Sequence, residues 1–456
     1  MTSTGGFLIP ADKHSIVSTP RRDSALSSNP TSGRELRIVL VSYACDPSRG
    51  TEPGLGWAWA EALAARGHVV ELLTRPDRDN VRHIMRRIED LGPVVGNRIR
   101  PHVLPVPACP RWLGLLPRGP RGKAAEFLRY EGWQRRAVDY ARRHGLDRAD
   151  LVHHVSYGSL VGGSALHRLG PPLVFGPVGG GQTAPHSQRR HLGTGYRQEV
   201  LRELLWVRGL SRRSSCRATL REAAMVLTTN RDTARRARLL GRADSRMMLA
   251  DGVPDALLRE PSQEEPPRRP HPPTVLWVGR LSPLKAPGLA VRAFSLLRTE
   301  MPDARLVLIG DGPLRRELER LADRLKVAGS VQFRGRLPWE QTMAAYDDAD
   351  VLLFTSLRDS SGVQTLEAWA RGLPVVHLDH QGVGDFSAPG GAVAVALRDP
   401  ADLPQRLAHA LAGVLTDEQA RRRMGRAGLE WARQHTWTAK AQRAEQLYYT
   451  VVADSL

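Results

Sequence analysis

The chain has 456 residues, 41% of them apolar, and a formal net charge of +19. That length makes two domains the natural organisation, and the composition is that of a globular protein with material for two cores. No apolar run approaches the roughly 20 residues that cross a bilayer, Cys45, Cys109 and Cys216 have neither metal-site nor disulfide spacing, and no nucleic-acid motif accompanies the positive charge, so those classes are set aside.

Residues 1–33 are rich in Ser, Thr, Pro and Arg and lack the apolar core of a signal peptide. They read as a disordered tail on a cytoplasmic protein. A first domain is expected over 34–258. Leu36–Ser42 predicts a strand, the loop Asp46–Gly56 follows, and a helix is expected from about Leu55 to Arg66 with Gly67 as its stop. Val69–Thr74 is the next strand, with helices near Asn80–Asp90 and Ala124–His144. Short strands are expected at Ile99–Leu104, Leu151–His153, Leu173–Phe175, Met225–Thr228 and Met248–Ala250.

Between Arg98 and Arg148 twelve Arg or Lys stand against four Asp or Glu, interleaved with Trp112, Leu113, Phe127, Tyr130 and Trp133. The patch has two readings. One is docking on an anionic membrane surface, which would make the protein peripheral on the inner face of the membrane. The other is a solvated helix face in an Arg-rich chain.

The stretch 259–273 is Pro, Glu and Arg with almost nothing apolar, and marks a linker. A second alternating set follows over 274–435. Strands are expected at Val275–Val278, Leu306–Ile309, Val331–Phe333, Val351–Phe354 and Val375–Leu378, with helices between them. The alternation predicts an α/β chain of two doubly wound sheets, whose ligands bind at the carboxyl ends of the strands.

Four loops of the second half follow strands in that way. Arg280 and Lys285 lie just past one strand, a pairing suited to a diphosphate: Arg binds oxygens bidentately and Lys acts as a point charge. Ile309-Gly310-Asp311-Gly312-Pro313 is a glycine loop, weak evidence alone because the full dinucleotide fingerprint is missing. Phe333-Arg334-Gly335-Arg336-Leu337 is the third loop. In the fourth, Ser361 with Gln364 has the form of a capping box, so a helix is expected to start there. Val363, Leu366 and Ala370 share its apolar face, and Gly372 and Pro374 end it. Glu367 stands at the margin of that face, where a carboxylate is costly unless partnered. Asp359 and Glu367 thus flank a helix N-terminus, a place that favours an anion such as phosphate. From the residues alone, Glu367 is equally readable as one half of a structural ion pair.

Taken in this order, the motifs resemble the retaining glycosyltransferases of family 4, which have the GT-B fold. The carrying residues are Gly279-Arg280-Leu281 with Lys285, the Gly310 loop, Phe333-Arg334-Gly335, Tyr346 with Ala349-Asp350, and Leu366-Glu367-Ala368 with Gly372-Leu373-Pro374. The first half adds Gly54, Gly67-His68-Val69, Asp150–His153 and Asp251-Gly252-Val253. The resemblance implies two Rossmann-like domains facing across a cleft, with a C-terminal helix over 436–456 packing back on the first.

It also implies roles. No cofactor is expected beyond a nucleotide-diphosphate sugar as donor substrate, and no metal. Arg280 and Lys285 would hold the diphosphate together with Gly279, Gly310 and the Ser361-Gly362-Val363 turn. Glu367 would bind the ribose, Arg336 and Leu337 would touch the base, and Asp359 would contact hydroxyls of the donor sugar. Gly54 would lie against the diphosphate and acceptor. His153 or His154 would approach the transferring sugar, and the loop Gly179–Gly181 would border that pocket. A His at a strand end is also readable as a hydrogen-bonded structural residue. The family usually has Glu at both ends of the acidic pair, whereas here the first is Asp359.

The expected activity is transfer of a sugar with retention of configuration, without a metal, to a polysaccharide, lipid-linked or small-molecule acceptor. Three rivals stand beside it: a nicotinamide-dependent oxidoreductase, a sugar-nucleotide epimerase of the same fold, and a binding protein weakened in catalysis through Asp359. The nucleobase, sugar and acceptor are left open.

Overall fold

The computed structural model describes residues 33–108, 118–260 and 271–455. The expected tail, apart from Gly33, and most of the expected linker lie outside the described residues, as do Trp112, Leu113 and the side chains of Arg118, Arg121 and Lys123 in the basic patch.

The first sheet has seven parallel strands: β1 (Arg37–Ser42), β2 (Val69–Thr74), β3 (Ile99–Val103), β4 (Leu151–Ser156), β5 (Leu173–Val178), β6 (Met225–Thr228) and β7 (Arg246–Met247). Their spatial order is β3-β2-β1-β4-β5-β6-β7. Central strands of such a sheet are apolar on both faces because helices cover both. Along β1, Ile38 and Leu40 enter one core while Val39 and Val41 enter the other, the alternation that a period of two dictates.

The second sheet has six: β8 (Thr274–Val278), β9 (Arg305–Ile309), β10 (Val331–Gly335), β11 (Val351–Phe354), β12 (Val375–Asp379) and β13 (Ala392–Ala396), in the order β10-β9-β8-β11-β12-β13. In β11, Val351 and Leu353 face one core and Leu352 and Phe354 the other. Both orders reverse direction beside the first strand of their sheet, which opens a crevice at the strand ends there.

Three details depart from expectation. The edge strand β13 lies in an Ala-Val alternation too weakly apolar to signal a strand. The strand expected at Met248–Ala250 is instead β7, two residues earlier. The first helix spans Thr51–Ala65 and so begins four residues before Leu55.

Two segments tie the halves together. The helix Trp437–Ala453 lies in the core of the first sheet, where Ala441, Ala444 and Tyr448 join Trp59 and Leu63. Its Glu445 pairs with Arg66. In the other direction, Ala184 and Leu192 leave the first half and are buried in the core of the second. There Gln188 donates to the Arg398 carbonyl at 3.0 Å.

Candidate active site

The loops after β8 and β11 meet at the carboxyl end of the second sheet. Trp277 Nε1 donates to Thr355 Oγ1 at 3.0 Å, and Thr355 Oγ1 donates in turn to the Lys285 carbonyl at 2.9 Å. The backbone of Lys285 is thereby fixed against the end of β11. Its ammonium pairs with the Asp359 carboxylate. The other oxygen of Asp359 accepts the N–H groups of Ser360 at 2.8 Å and Gly362 at 3.3 Å. Asp359 is thus a carboxylate oriented by two backbone donors and one cation, a charge-assisted arrangement stronger than neutral hydrogen bonds.

Gly362 caps the helix Val363–Ala370 with φ +67°. A Cβ there would sit 2.3 Å from Val383 Cγ2, so the site needs glycine for conformation and for space. The capping box expected at Ser361 and Gln364 is corrected. Ser361 Oγ donates to Asp251 Oδ2 across the cleft and caps nothing. The first N–H groups of this helix have no partner within it, and Val363 and Gln364 line a cavity of about 270 Å³ together with Lys285, Asp359, Ser361, Asp251 and Glu52.

One turn further on, Glu367 Oε2 accepts the Tyr346 hydroxyl at 2.9 Å. Burial pushes its carboxyl up to about 7, with Asp251 adding to the rise and the Tyr346 hydrogen bond opposing it. Its partner in this structure is therefore a tyrosine; the Arg pairing allowed by the sequence is not made among the described residues.

The remaining expected contacts are distributed differently. Arg280 is exposed and makes no ion pair among the described residues. Gly279 and Gly310 donate their N–H groups to the carbonyls of Ile309 at 2.9 Å and Gly335 at 2.7 Å, and so stitch the strand ends together. Arg336 is exposed, and Leu337 packs on the core around Tyr346. Gly54 lies in the first turn of the Thr51–Ala65 helix, under the Arg49 carbonyl, which a Cβ would meet at 2.1 Å.

The histidines need correction. His153 is fully buried. Its Nε2 meets the Gly176 carbonyl at 2.7 Å and its Nδ1 the Tyr448 hydroxyl at 2.7 Å. Burial pushes its pKa down to about 3. With both nitrogens engaged, the neutral ring pins the C-terminal helix to β4 and does not reach the cavity. His154 is likewise fully buried, between Ser164 Oγ at 2.7 Å and Tyr130 Oη at 2.9 Å.

A larger cavity of about 560 Å³ adjoins the first and shares Glu52, Gly158, Asp359 and Ser360 with it. Phe127, Tyr130, Tyr157 and Trp206 give it aromatic walls, and Gly180 borders it. Glu52 stands at the junction. It accepts the Gly158 N–H at 3.1 Å and the Ser156 hydroxyl at 3.4 Å, and burial raises its pKa. Sequence reasoning missed Glu52; the available signal was an acid two residues before Gly54 in the first turn of a helix that begins earlier than expected.

Asp251, opposite, is held from behind. Lys440 of the C-terminal helix donates to the carbonyls of Leu249, Ala250 at 2.6 Å and Asp251 at 3.1 Å. Its ammonium also lies 5.1 Å from the rings of both Trp59 and Trp437. Burial pulls that ammonium down to about 7 against the attraction of Asp251. Among the described residues, no cluster of three or more His, Cys, Asp or Glu is arranged to hold a metal ion.

Comparisons with known proteins bear on the fold and the family. A family model described as glycosyl transferases group 1 matches residues 259–431, and one described as a glycosyl transferase 4-like domain matches 57–252. The D-inositol 3-phosphate glycosyltransferase of Corynebacterium glutamicum is 32% identical over 190 residues, 40% of this chain and 45% of that protein, so the match spans less than half of that relative. The enzyme of the same name from Segniliparus rotundus is 26% identical across 97% of this chain and 95% of its own. Among solved structures, a sucrose-phosphate synthase from Thermosynechococcus elongatus superposes with a TM-score of 0.61 at 20% identity, covering 92% of this chain and 100% of that one. HepE from Anabaena, solved with UDP and glucose, superposes with a TM-score of 0.57 at 19% identity, covering 91% and 99%. Two parallel sheets, a cleft with a phosphate-suited helix start, and two adjacent family matches lead to one conclusion: the chain belongs to the group 1, family 4-like glycosyltransferases and has their two-domain GT-B fold.

Proposed function

We propose that this protein moves a sugar from a nucleotide-diphosphate sugar to an acceptor, with retention of configuration and without a metal. The observation that carries the reading is the Lys285–Asp359 pair beside the Gly362-capped helix start, lining one cavity with Glu52 and Asp251 from the other half. Family membership supports the transferase class. HepE, solved in complex with UDP-glucose, and the relatives named for D-inositol 3-phosphate support a nucleotide-sugar donor and a hydroxyl-bearing acceptor.

Breaking the bond between sugar and phosphate leaves negative charge on the diphosphate and positive charge on the sugar. Lys285 and the free N–H groups at the helix start stabilise the leaving group, and Arg280 reaches it from the exposed β8 loop. Asp359, steered by Lys285 and two N–H groups, binds hydroxyls of the donor sugar. Glu367 accepts from the ribose. Retention follows from attack on the face that the diphosphate leaves, with a phosphate oxygen taking the acceptor proton. The aromatic second cavity suits an acceptor, whether a glycan, a lipid-linked sugar or a small molecule, and an epimerase has no need of it.

The test is turnover of a panel of UDP-, GDP- and ADP-sugars by the purified full chain, with product anomers read by NMR. The reading expects one donor class to be consumed and its anomeric configuration kept. Consumption of none, or simple epimerisation of the donor, contradicts it.

A further inference from the structure

After β5 the chain runs through the helix Gly195–Arg202, which continues as π-helical turns over Glu203–Gly209. Its inner face is polar. Glu199, Glu203 and Val207, spaced four apart, are buried. Glu199 accepts from Arg358 of the second half at 2.8 Å, and Glu203 meets His186 Nε2 at 2.9 Å. Its outer face carries three leucines beside Arg197 and Arg208. Leu201, Leu204 and Leu205 are 56%, 52% and 54% exposed, on consecutive turns. This inverts the usual amphipathic helix, which turns its leucines inward. Adjacent large exposed apolar side chains on a folded surface mark an interaction site.

The charge around these leucines says what the partner is. Between Arg189 and Arg217 eight arginines stand against two glutamates, Glu199 and Glu203. Both glutamates are buried; Glu199 pairs with Arg202 and Arg358 and Glu203 with Arg208, while Arg213 pairs with Glu131, so the outer charge rests on the remaining arginines. Arg197, Arg212 and Arg217 are exposed and form no ion pair among the described residues. Exposed leucines with Arg197 one turn before them and exposed Arg212 and Arg217 on the turns that follow in the chain complement an interface with acyl chains below and anionic headgroups above. The opposite flank of the same turns supplies Trp206 and Arg202 to the wall of the larger cavity. A surface docked through the leucines therefore lies beside the mouth of that cavity.

We propose that Leu201, Leu204 and Leu205, with Arg197, Arg212 and Arg217, form a docking face for an anionic lipid bilayer. This face adjoins the Arg98–Arg148 patch read from the sequence, since Trp206 meets the Phe127 ring and Arg213 pairs with Glu131, but its residues are different ones, and it does not depend on the transferase reading.

The experiment is co-sedimentation of the full chain, without nucleotide, on vesicles of phosphatidylglycerol and phosphatidylcholine, and on phosphatidylcholine alone. Three variants accompany wild type: the triple Leu201→Ser, Leu204→Ser, Leu205→Ser; the triple Arg197→Gln, Arg212→Gln, Arg217→Gln; and Arg118→Gln, Arg121→Gln, Lys123→Gln. Thermal unfolding checks that each is folded. The proposal expects wild type to bind anionic vesicles and to be released by salt. The leucine triple should bind at least about tenfold more weakly, and the arginine triple on the order of a hundredfold, since each cation near an anionic surface contributes several-fold. Three results overturn it: wild type that ignores anionic vesicles, leucine and arginine triples that bind like wild type while the 118–123 variant alone fails, or leucines that prove to hold a dimer, seen as self-association lost in the leucine triple with vesicle binding intact.

Discussion

The two walls of the cleft are built on different physics. The wall from the second half is ionic and rigid: Lys285, Asp359 and Gly362 are fixed by backbone hydrogen bonds, a cation–carboxylate pair and a conformation open only to glycine. The wall from the first half is aromatic, and its junction carboxylate, Glu52, is held by a backbone N–H and a hydroxyl, with no ion pair among the described residues. A rigid charged wall suits a partner of fixed charge and shape, as a diphosphate is. An aromatic wall with two carboxylates, Glu52 and Glu126, suits a partner recognised by ring faces and hydroxyls. One architecture thus permits a constant donor site and an adaptable acceptor site.

Mutations can break this contrast. On the ionic wall, Lys285→Ala should lower turnover about a hundredfold, the scale of losing one preorganised charge at a leaving group, with the thermal midpoint little changed; steady-state kinetics and a melting curve check both. Behind the aromatic wall, His153→Ala should cost about 2–4 kcal/mol of stability, because it leaves a cavity and strands the Tyr448 hydroxyl and the Gly176 carbonyl. Urea unfolding measures that loss, and turnover per folded molecule should hold. A loss of turnover without destabilisation would return His153 to the chemistry.

Two smaller effects sharpen the contrast. Glu52→Gln should raise the acceptor KM several-fold, on the scale of one hydrogen bond to a charged group, and leave the donor KM alone. Equal rises in both would place Glu52 on the donor instead. Glu367 gives a pH signature. Its folded pKa of about 7 lies above the value near 4.5 of a free carboxyl. Between those values the folded protein keeps a proton that the unfolded chain releases, so this group makes stability fall as pH rises from about 4.5 to about 7. Glu367→Gln should flatten that slope, as followed by unfolding midpoints across pH.

What the sequence showed and what it hid divide along sequence distance. Strands such as Val351–Phe354 and Val69–Thr74 were legible because fully buried parallel strands are continuous apolar runs. Lys285 and Asp359 were legible as polar residues just past such strands. His153 was misread because its partner Tyr448 lies 295 positions away on the crossing helix, beyond any local pattern. Ser361 was misread as a cap for the same reason: its partner Asp251 comes from the other half. Glu52 was hidden by a helix start displaced by four residues, and Leu201, Leu204 and Leu205 by the rule that leucines face inward.

The central claim is that the leaving group sits between Lys285 and the start of the Val363–Ala370 helix. Isothermal titration of UDP, GDP and ADP into wild type and Lys285→Ala tests it most directly. The account predicts that wild type binds one of the three and that its Kd weakens at least about tenfold in the variant, the scale of one charged contact. Binding of none, or an unchanged Kd in Lys285→Ala, would contradict it.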